Sequence, residues 1–333
     1  MHLQSLLHQL SNARILVIGD LILDHYIWGD VHRISPEAPV PVVHVSHDTF
    51  TPGGAANVAL NLANLGVKTS VIGYFAEDEA GLKLQEILNE KDISVFNPAT
   101  SKTAPSIIKT RVLVRGQQLC RIDREMQRET YRIDTSPNFE TVLEEALANV
   151  DAVIVSDYAK GVITQPLVDI LFKISKSYPK LLVAVDPKPA RHLAFREAGL
   201  LTPNRSEALQ MAGMAPLHTD EPYPLEEICL KIHNLFNPKI LIITLGADGM
   251  AICHGGKVLE HLSTEAQQVF DVSGAGDTVV ATLTAALSVG STPAQAARLA
   301  NAAAGCVVRH MGTAPVTLKE LQQWLDRSSE VVI

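Results

Sequence analysis

Five runs that are apolar almost from end to end constrain this chain more than anything else in it. They are RILVIG (Arg14–Gly19), TSVIG (Thr69–Gly73), AVIVSD (Ala152–Asp157), LLVAVD (Leu181–Asp186) and KILIITLG (Lys239–Gly246). A strand with one wetted face alternates polar and apolar residues; a run without alternation needs cover on both faces, as in a parallel sheet. Amphipathic segments at Phe139–Asn149, Gln165–Ser177 and Leu225–Leu235 lie among these runs. Strand and helix in alternation predict a doubly wound α/β fold, a mostly parallel sheet flanked by helices. With 47% hydrophobic and 19% charged residues, the chain has material for a large core, and a disordered chain is excluded. No repeat or low-complexity linker interrupts it, so 1–333 reads as a single domain.

Two stretches break the rhythm. PVPVVHVSHDTF (Pro39–Phe50) and Ser106–Asp123, around IIKTRVLVR, alternate apolar and polar residues. Such strands have one wetted face and are too polar for the central sheet. They predict a small β lid over one end of the main domain, its strands contributed by about 24–52 and 104–124.

The formal net charge of −8 argues against a nucleic-acid surface, which needs a basic stripe, but leaves room for a local cationic pocket. Cys120, Cys229, Cys253 and Cys306 show no CxxC spacing. The expectation is therefore no disulfide framework, no zinc site and a reducing compartment. No apolar run reaches the ~18 residues of a membrane span. The N-terminus lacks the cationic and apolar regions of a secretory signal. A cytoplasmic protein without membrane or nucleic-acid partners is expected.

In open α/β sheets, ligands bind beyond the carboxyl ends of the strands. Polar clusters follow the apolar runs at Gly19–Asp24, Ser156–Gly161, Asp186–Lys188, Thr202–Glu207 and Thr244–Gly249. The most informative segment is DVSGAGDTVVATLTAAL (Asp271–Leu287). Gly274, Ala275 and Gly276 let the backbone turn sharply into an apolar helix, whose first N–H groups suit phosphate oxygens. Asp277, in the first turn, is placed either to take a proton from a hydroxyl or merely to favour the helix dipole. In GGAANVALNLANLG (Gly53–Gly66), Gly53 and Gly54 permit close approach and Asn57 offers an amide. Neither GxGxxG after a strand nor GxxxxGK[ST] occurs, which disfavours a dinucleotide fold and excludes a P-loop.

GGAANVALNLANLG together with DVSGAGD resembles the paired motifs of the PfkB/ribokinase family of carbohydrate kinases. ISPEAPVPVV (Ile34–Val43), RVLVRGQQLCRID (Arg111–Asp123), SDYAKG (Ser156–Gly161), LTPNRSE (Leu201–Glu207) and ANAAAGCVV (Ala300–Val308) are similar to its heptose 7-phosphate kinases. The resemblance runs from Val17 to about Thr317. It implies a ribokinase-like fold and transfer of the ATP γ-phosphoryl group to the C1 hydroxyl of D-glycero-β-D-manno-heptose 7-phosphate, on the route to ADP-heptose. In many relatives a nucleotidyltransferase follows; this sequence ends at Ile333, so a stand-alone kinase is expected.

By the same resemblance Asp277 is the general base, and Gly274, Ala275 and Gly276 form the anion hole. Asn204, Arg205, Ser206 and Glu207 attend ATP and Mg²⁺, with Glu207 reaching the metal through water. An N-x-x-E spacing is also a capping box, and both roles can hold together. Thr244 and Gly246 to Gly249 resemble the nucleotide loop. Asn301 flanks the adenine or simply packs; Lys188 reaches ATP phosphate or neutralises Asp186. For the sugar the candidates are Asp24, Gly53, Gly54, Asn57 and Asp157. For its phosphate they are Lys109, Arg111, Arg115, Arg121 and Lys160, each alternatively a surface charge or lid ion pair. Asp271 and Ser273 fit loosely a monovalent cation such as potassium. A homodimer through the lid is expected, since a lid leaves strand edges for a second subunit. Two alternatives stay open: another acceptor within the family (fructose 6-phosphate, ribose or a nucleoside), and a sugar-phosphate-binding regulator without turnover.

Overall fold

The computed structural model describes residues 3–96, 100–101, 104–218, 221–264, 272–309 and 312–330. Its main sheet has nine strands, in the order Lys257–Leu262, Met250–His254, Ile240–Thr244, Leu200–Leu201, Leu182–Asp186, Ala152–Ser156, Arg14–Gly19, Lys68–Ile72, Ser94–Phe96. All pair in parallel except the first two of that order, which form an antiparallel edge. Each of the five apolar runs supplies a strand, because each is buried on both faces between helices. One core layer packs Ile15, Val17 and Ile154 with the helices Ala55–Asn64, Ala275–Ser288 and Pro293–Val307. The other packs Leu16, Ile18, Val153 and Val155 with Phe139–Leu147, Gln165–Ser175 and Leu225–Phe236. Odd and even positions of one strand thus enter different layers, as the period-2 pleat requires.

The lid is a four-stranded sheet in the order Pro41–Gly54, Leu21–Ile34, Ile107–Val114, Gln117–Arg124. It is longer at its base than the alternation predicts. Leu21–Ile34 begins two residues after the first central strand ends, so its opening residues, Leu21, Ile22 and Leu23, are buried in the core. That burial removes the alternation by which a sequence reveals a half-wetted strand.

One expectation is corrected. The structure pairs Cys229, on the helix Leu225–Phe236, with Cys253, on the antiparallel edge, at a Cα–Cα distance of 6.5 Å. Sequence spacing carries no trace of the pair, because only packing of that helix on the sheet brings the two together. The cysteine argument for a reducing compartment therefore lapses. Among the described residues no helix is long and apolar enough to cross a membrane.

Candidate active site

The carboxyl ends of the parallel strands deliver Asp20, Asp157, Asp186, Thr202 and Thr244 to one edge of the sheet. There the helix Ala275–Ser288 presents its N-terminus. Gly274 is its N-cap, at φ 78°, a left-handed conformation that favours glycine; the cap has no side-chain hydrogen bond. A Cβ on Gly274 would also come within 2.9 Å of the Asn57 amide nitrogen. At Gly276, by contrast, a Cβ would meet nothing within 4 Å. The loop is therefore tight on one side and open on the other, which suits a nest for phosphate oxygens. The Ala275 N–H is turned back to the Val272 carbonyl at 3.2 Å. Gly276 and Asp277, one position further in, have no carbonyl four residues back within the helix to reach.

Asp277 is buried, and both carboxylate oxygens are held. Asn57 Nδ2 donates to Oδ2 at 2.7 Å, and the Tyr158 hydroxyl donates to Oδ1 at 2.5 Å. Thr278 Oγ1 donates to Asn61 Oδ1 at 2.8 Å, and Asn61 Nδ2 to the Asn57 carbonyl at 2.9 Å, so one helix braces the other. Burial pushes the Asp277 carboxyl up to about 6; the Tyr158 and Asn57 hydrogen bonds pull the other way. The group is thus a carboxylate at neutral pH with a basicity well above that of an exposed Asp. Asp186 is raised well above the usual range, first by burial and then by the charges of Glu207 and Asp277.

A cavity of about 170 Å³ opens on Asp277, Gly274, Gly276, Asp157, Tyr158, Asp186, Lys188, Asn204, Glu207 and Thr244. A family model for the pfkB family of carbohydrate kinases matches residues 12–320. The chain belongs to that family. It is 39% identical over 312 residues to bifunctional protein HldE of Sulfurimonas denitrificans, covering 93% of this chain and 64% of that protein. For HldE of Desulfatibacillum aliphaticivorans the figures are 40% over 317 residues, 95% and 63%. For HldE of Yersinia enterocolitica they are 41% over 310 residues, 93% and 63%. The chain spans just under two thirds of the length of these relatives. Its fold is that of Arabidopsis thaliana ribokinase complexed with ribose and ATP (TM-score 0.72, 21% identity, covering 94% of this chain and 98% of that one). It is also that of Escherichia coli phosphofructokinase-2 in complex with potassium (TM-score 0.76, 19% identity, 95% and 99%).

For a pfkB-family chain the placement of the remaining candidates is specific. Asn204 and Glu207 form a full capping box on the helix Arg205–Met211: Asn204 Oδ1 accepts from the Glu207 N–H at 3.0 Å, and Glu207 Oε2 accepts from the Asn204 N–H at 2.9 Å. Glu207 Oε1 also accepts from Lys188 Nζ at 2.9 Å. Arg205 is turned away to Asp248 at 2.6 Å, and Ser206 donates to Asn204. Arg205, Tyr223, Leu245, Asp248 and Ser263 line a neighbouring cavity of about 420 Å³. Asn301 donates to the Ser263 carbonyl at 2.8 Å and so fastens a wall of that cavity. Gly246 opens the turn Gly246–Asp248. At Gly249 the glycine answers to packing, since a Cβ would fall 1.9 Å from the Leu262 carbonyl oxygen.

On the lid, Asp24 is buried and ion-paired with Arg111, whose guanidinium lies 5.2 Å from the Tyr26 ring centroid. At Gly53 the Asp24 side chain packs close: a Cβ would fall 2.3 Å from its Oδ2. Gly54 turns the chain into the Asn57 helix. Asp157 is buried and accepts from the Ala159 N–H at 2.8 Å. Lys160 pairs with Glu125 at 2.6 Å, Arg121 with Asp123 at 2.9 Å, and Arg115 lies out at a hairpin tip near Asp30. Lys109 has no ion pair among the described residues; its Nζ stands 5.8 Å from the Tyr158 ring centroid, and burial, then Lys160, lowers its pKa. Ser273 is exposed beside the anion-hole loop, and Asp271 lies outside the described residues.

Sequence reasoning passed over Asp20. Its carboxylate accepts from the N–H groups of Tyr158 (2.9 Å), Lys160 (3.0 Å) and Val162 (3.0 Å), and so sets the loop that carries Asp157 and Tyr158. The available signal was a Gly-Asp pair directly after a buried strand.

Family membership implies ATP and Mg²⁺ in general. Among the described residues no three His, Cys, Asp or Glu side chains are grouped to hold a metal directly. The crowding of Asp186, Glu207 and Asp277 nonetheless leaves negative charge in the cavity that a divalent cation would offset. Oxygen donors and space for water suit Mg²⁺, which keeps several waters and takes few protein ligands. The residues present fit the metal.

Proposed function

We propose that this chain phosphorylates the C1 hydroxyl of D-glycero-β-D-manno-heptose 7-phosphate with ATP, and that Asp277 is the general base. One observation carries the reading: a buried carboxylate at the open N-terminus of a helix, raised to about 6 yet ionised at neutral pH. The HldE relatives favour a heptose phosphate as acceptor.

Phosphoryl transfer asks a protein for alignment, charge neutralisation and a proton acceptor rather than covalent chemistry. Asp277 accepts the C1 proton as the oxygen attacks the γ-phosphorus, and the leaving charge departs on ADP. The N–H groups of Gly276 and Asp277, at the positive end of the helix dipole, face the transferring phosphoryl oxygens. Mg²⁺, when bound, neutralises the phosphate chain. Asn204, Glu207 and Lys188 stand along the phosphates, and the cavity beside Arg205 and Tyr223 takes the base, with the loop Thr244 to Gly249 as its floor. Asp24, held by Arg111, offers acceptor oxygens to the sugar hydroxyls, and Asn57 and Asp157 flank it. Lys109 is the best-placed cation for the 7-phosphate: it is partly buried, its charge is not matched by an ion pair, and a phosphate dianion would restore its pKa. Arg111, Arg121 and Lys160 would have to exchange partners. The lid closing over the sugar would exclude water and limit ATP hydrolysis.

ADP release with Mg·ATP, measured across the heptose 7-phosphate, fructose 6-phosphate, ribose and adenosine, tests this, with product position read by phosphorus NMR. Turnover confined to the heptose with a 1,7-bisphosphate product is expected. Faster turnover of another sugar would overturn the acceptor and keep the chemistry; binding without ADP release would favour the regulator. Repeating the assay with potassium replaced by sodium tests Asp271 and Ser273 as a monovalent-cation site, for which a potassium-dependent rate is expected.

A further inference from the structure

Tyr158 sits within SDYAKG between two residues already assigned to the sugar, yet its own side chain addresses the base. Its hydroxyl donates to Asp277 Oδ1 at 2.5 Å, while Asn57 holds Oδ2 at 2.7 Å. Two donors on opposite oxygens fix the plane of a carboxylate, and a charge-assisted O–H···O⁻ bond of this length is among the stronger ones. The tyrosine is itself held at both ends. Asp20 accepts from its backbone N–H at 2.9 Å, and Lys109 lies over its ring. Burial and then the charge of Asp277 raise the Tyr158 pKa well above the usual value, so the phenol stays a donor throughout the working range.

We propose that Tyr158 is a positioning residue for the phosphoryl-transfer step: its hydroxyl, with the Asn57 amide, fixes the Asp277 carboxylate and leaves a lone pair of that carboxylate directed at the acceptor hydroxyl. This deepens the reading of Asp277 as base and rests on it. The geometry has a second consequence. A donor to the ionised form stabilises it, so the tyrosine also sets where Asp277 takes up a proton. The other groups acting on Asp277 are Asp24 and Lys109 from the lid and Asp186 from the sheet; Asp157, Lys188 and Glu207 line the same cavity. Tyr158 and Asn57 both touch Asp277, and the Tyr158 contact is the one lost with a single oxygen atom.

The test is Tyr158→Phe, which keeps the ring beneath Lys109 and removes the hydroxyl. The acid limb of kcat/KM against pH is expected to move upward from about 6. If one hydrogen bond is equivalent to about one pH unit, the rate at pH 6 falls about fivefold and the rate at pH 7 about twofold, with recovery on the alkaline plateau. Lost packing alone would lower the rate equally at every pH, and that outcome, or an acid limb left in place, overturns the proposal. The carboxyl ¹³C shift of Asp277, assigned by its absence in Asp277→Asn, is followed in wild type and Tyr158→Phe without substrates. A midpoint that rises in the variant supports the proposal even if none of the sugars turns over. An unchanged midpoint overturns it even if Asp277 proves to be the base.

Discussion

Asp277 meets two opposed demands: removal from water makes a carboxylate more basic, but also resists its charge. Burial lifts its pKa to about 6, and the Tyr158 and Asn57 hydrogen bonds keep it from rising further. For activity the sign is direct. With Asp277 as the proposed base, kcat/KM should rise through about pH 6 and then level off; a profile flat from pH 5 to 8 would count against Asp277. For stability the sign is reversed. The folded carboxyl binds its proton more tightly than the unfolded one at 3.8, so its contribution falls as pH climbs from 3.8 to about 6 and stays low above. About two pH units correspond to roughly 3 kcal/mol. Asp277→Asn removes that charge, so its kcat is expected to fall roughly 10²–10⁴-fold while its melting temperature at pH 8 is no lower than wild type. Wild-type turnover, or a collapse of the fold, would refute this pairing.

Among the elements, the helix Arg205–Met211 carries a double assignment that substitution can separate. Its capping box satisfies two N–H groups with side chains of Asn204 and Glu207. Asn204→Ala removes the cap and is expected to cost about 1 kcal/mol in denaturant unfolding. Asn204→Ser keeps a capping oxygen and should restore most of that stability. If Asn204 also orders the ATP phosphates, the serine variant retains a raised KM for ATP; a KM that recovers together with stability would leave Asn204 as a cap alone. Asn301 presents a different balance. Its hydrogen bond to Ser263 joins the helix Pro293–Val307 to the segment after an edge strand, which makes it part of the wall of the cavity beside Arg205 and Tyr223.

At the scale of the molecule, the lid is the surface on which the proposed assembly turns. Across its four strands one register row reads Phe50, His25, Thr110, Ile122, on the face opposite Asp24, Lys109 and Arg111. His25 stacks on Phe50 at 4.3 Å, while Phe50 and Ile122 remain 37% and 58% exposed. Among the described residues the outer strands Pro41–Gly54 and Gln117–Arg124 also present unpaired edges. A second copy covering that face is our proposal for the homodimer. Light scattering at micromolar concentration should give twice the 36.0 kDa chain mass, and Ile122→Glu should return it to one. A monomeric wild type would refute the assignment.

Features encoded by local pattern are legible along the chain before it folds. Buried parallel strands show as unbroken apolar runs, the helix Ala275–Ser288 as glycines before a small-residue stretch, and the lid as period-2 alternation. Asp277 was legible for the same reason, lying six residues from Asp271 within one motif. Its partners were not. Asn57 reaches it across 220 positions and Tyr158 across 119. Asp20 meets its loop only because adjacent parallel strands end at the same edge, and Cys229 meets Cys253 only because a helix lies on that sheet. Gly53 carries no local sign that folding brings the Asp24 side chain against it. Such contacts arise from the order in which strands assemble and from the packing of the layers. Neither leaves a spacing in the chain, and together they turn a motif aspartate into a buried carboxylate held by two donors.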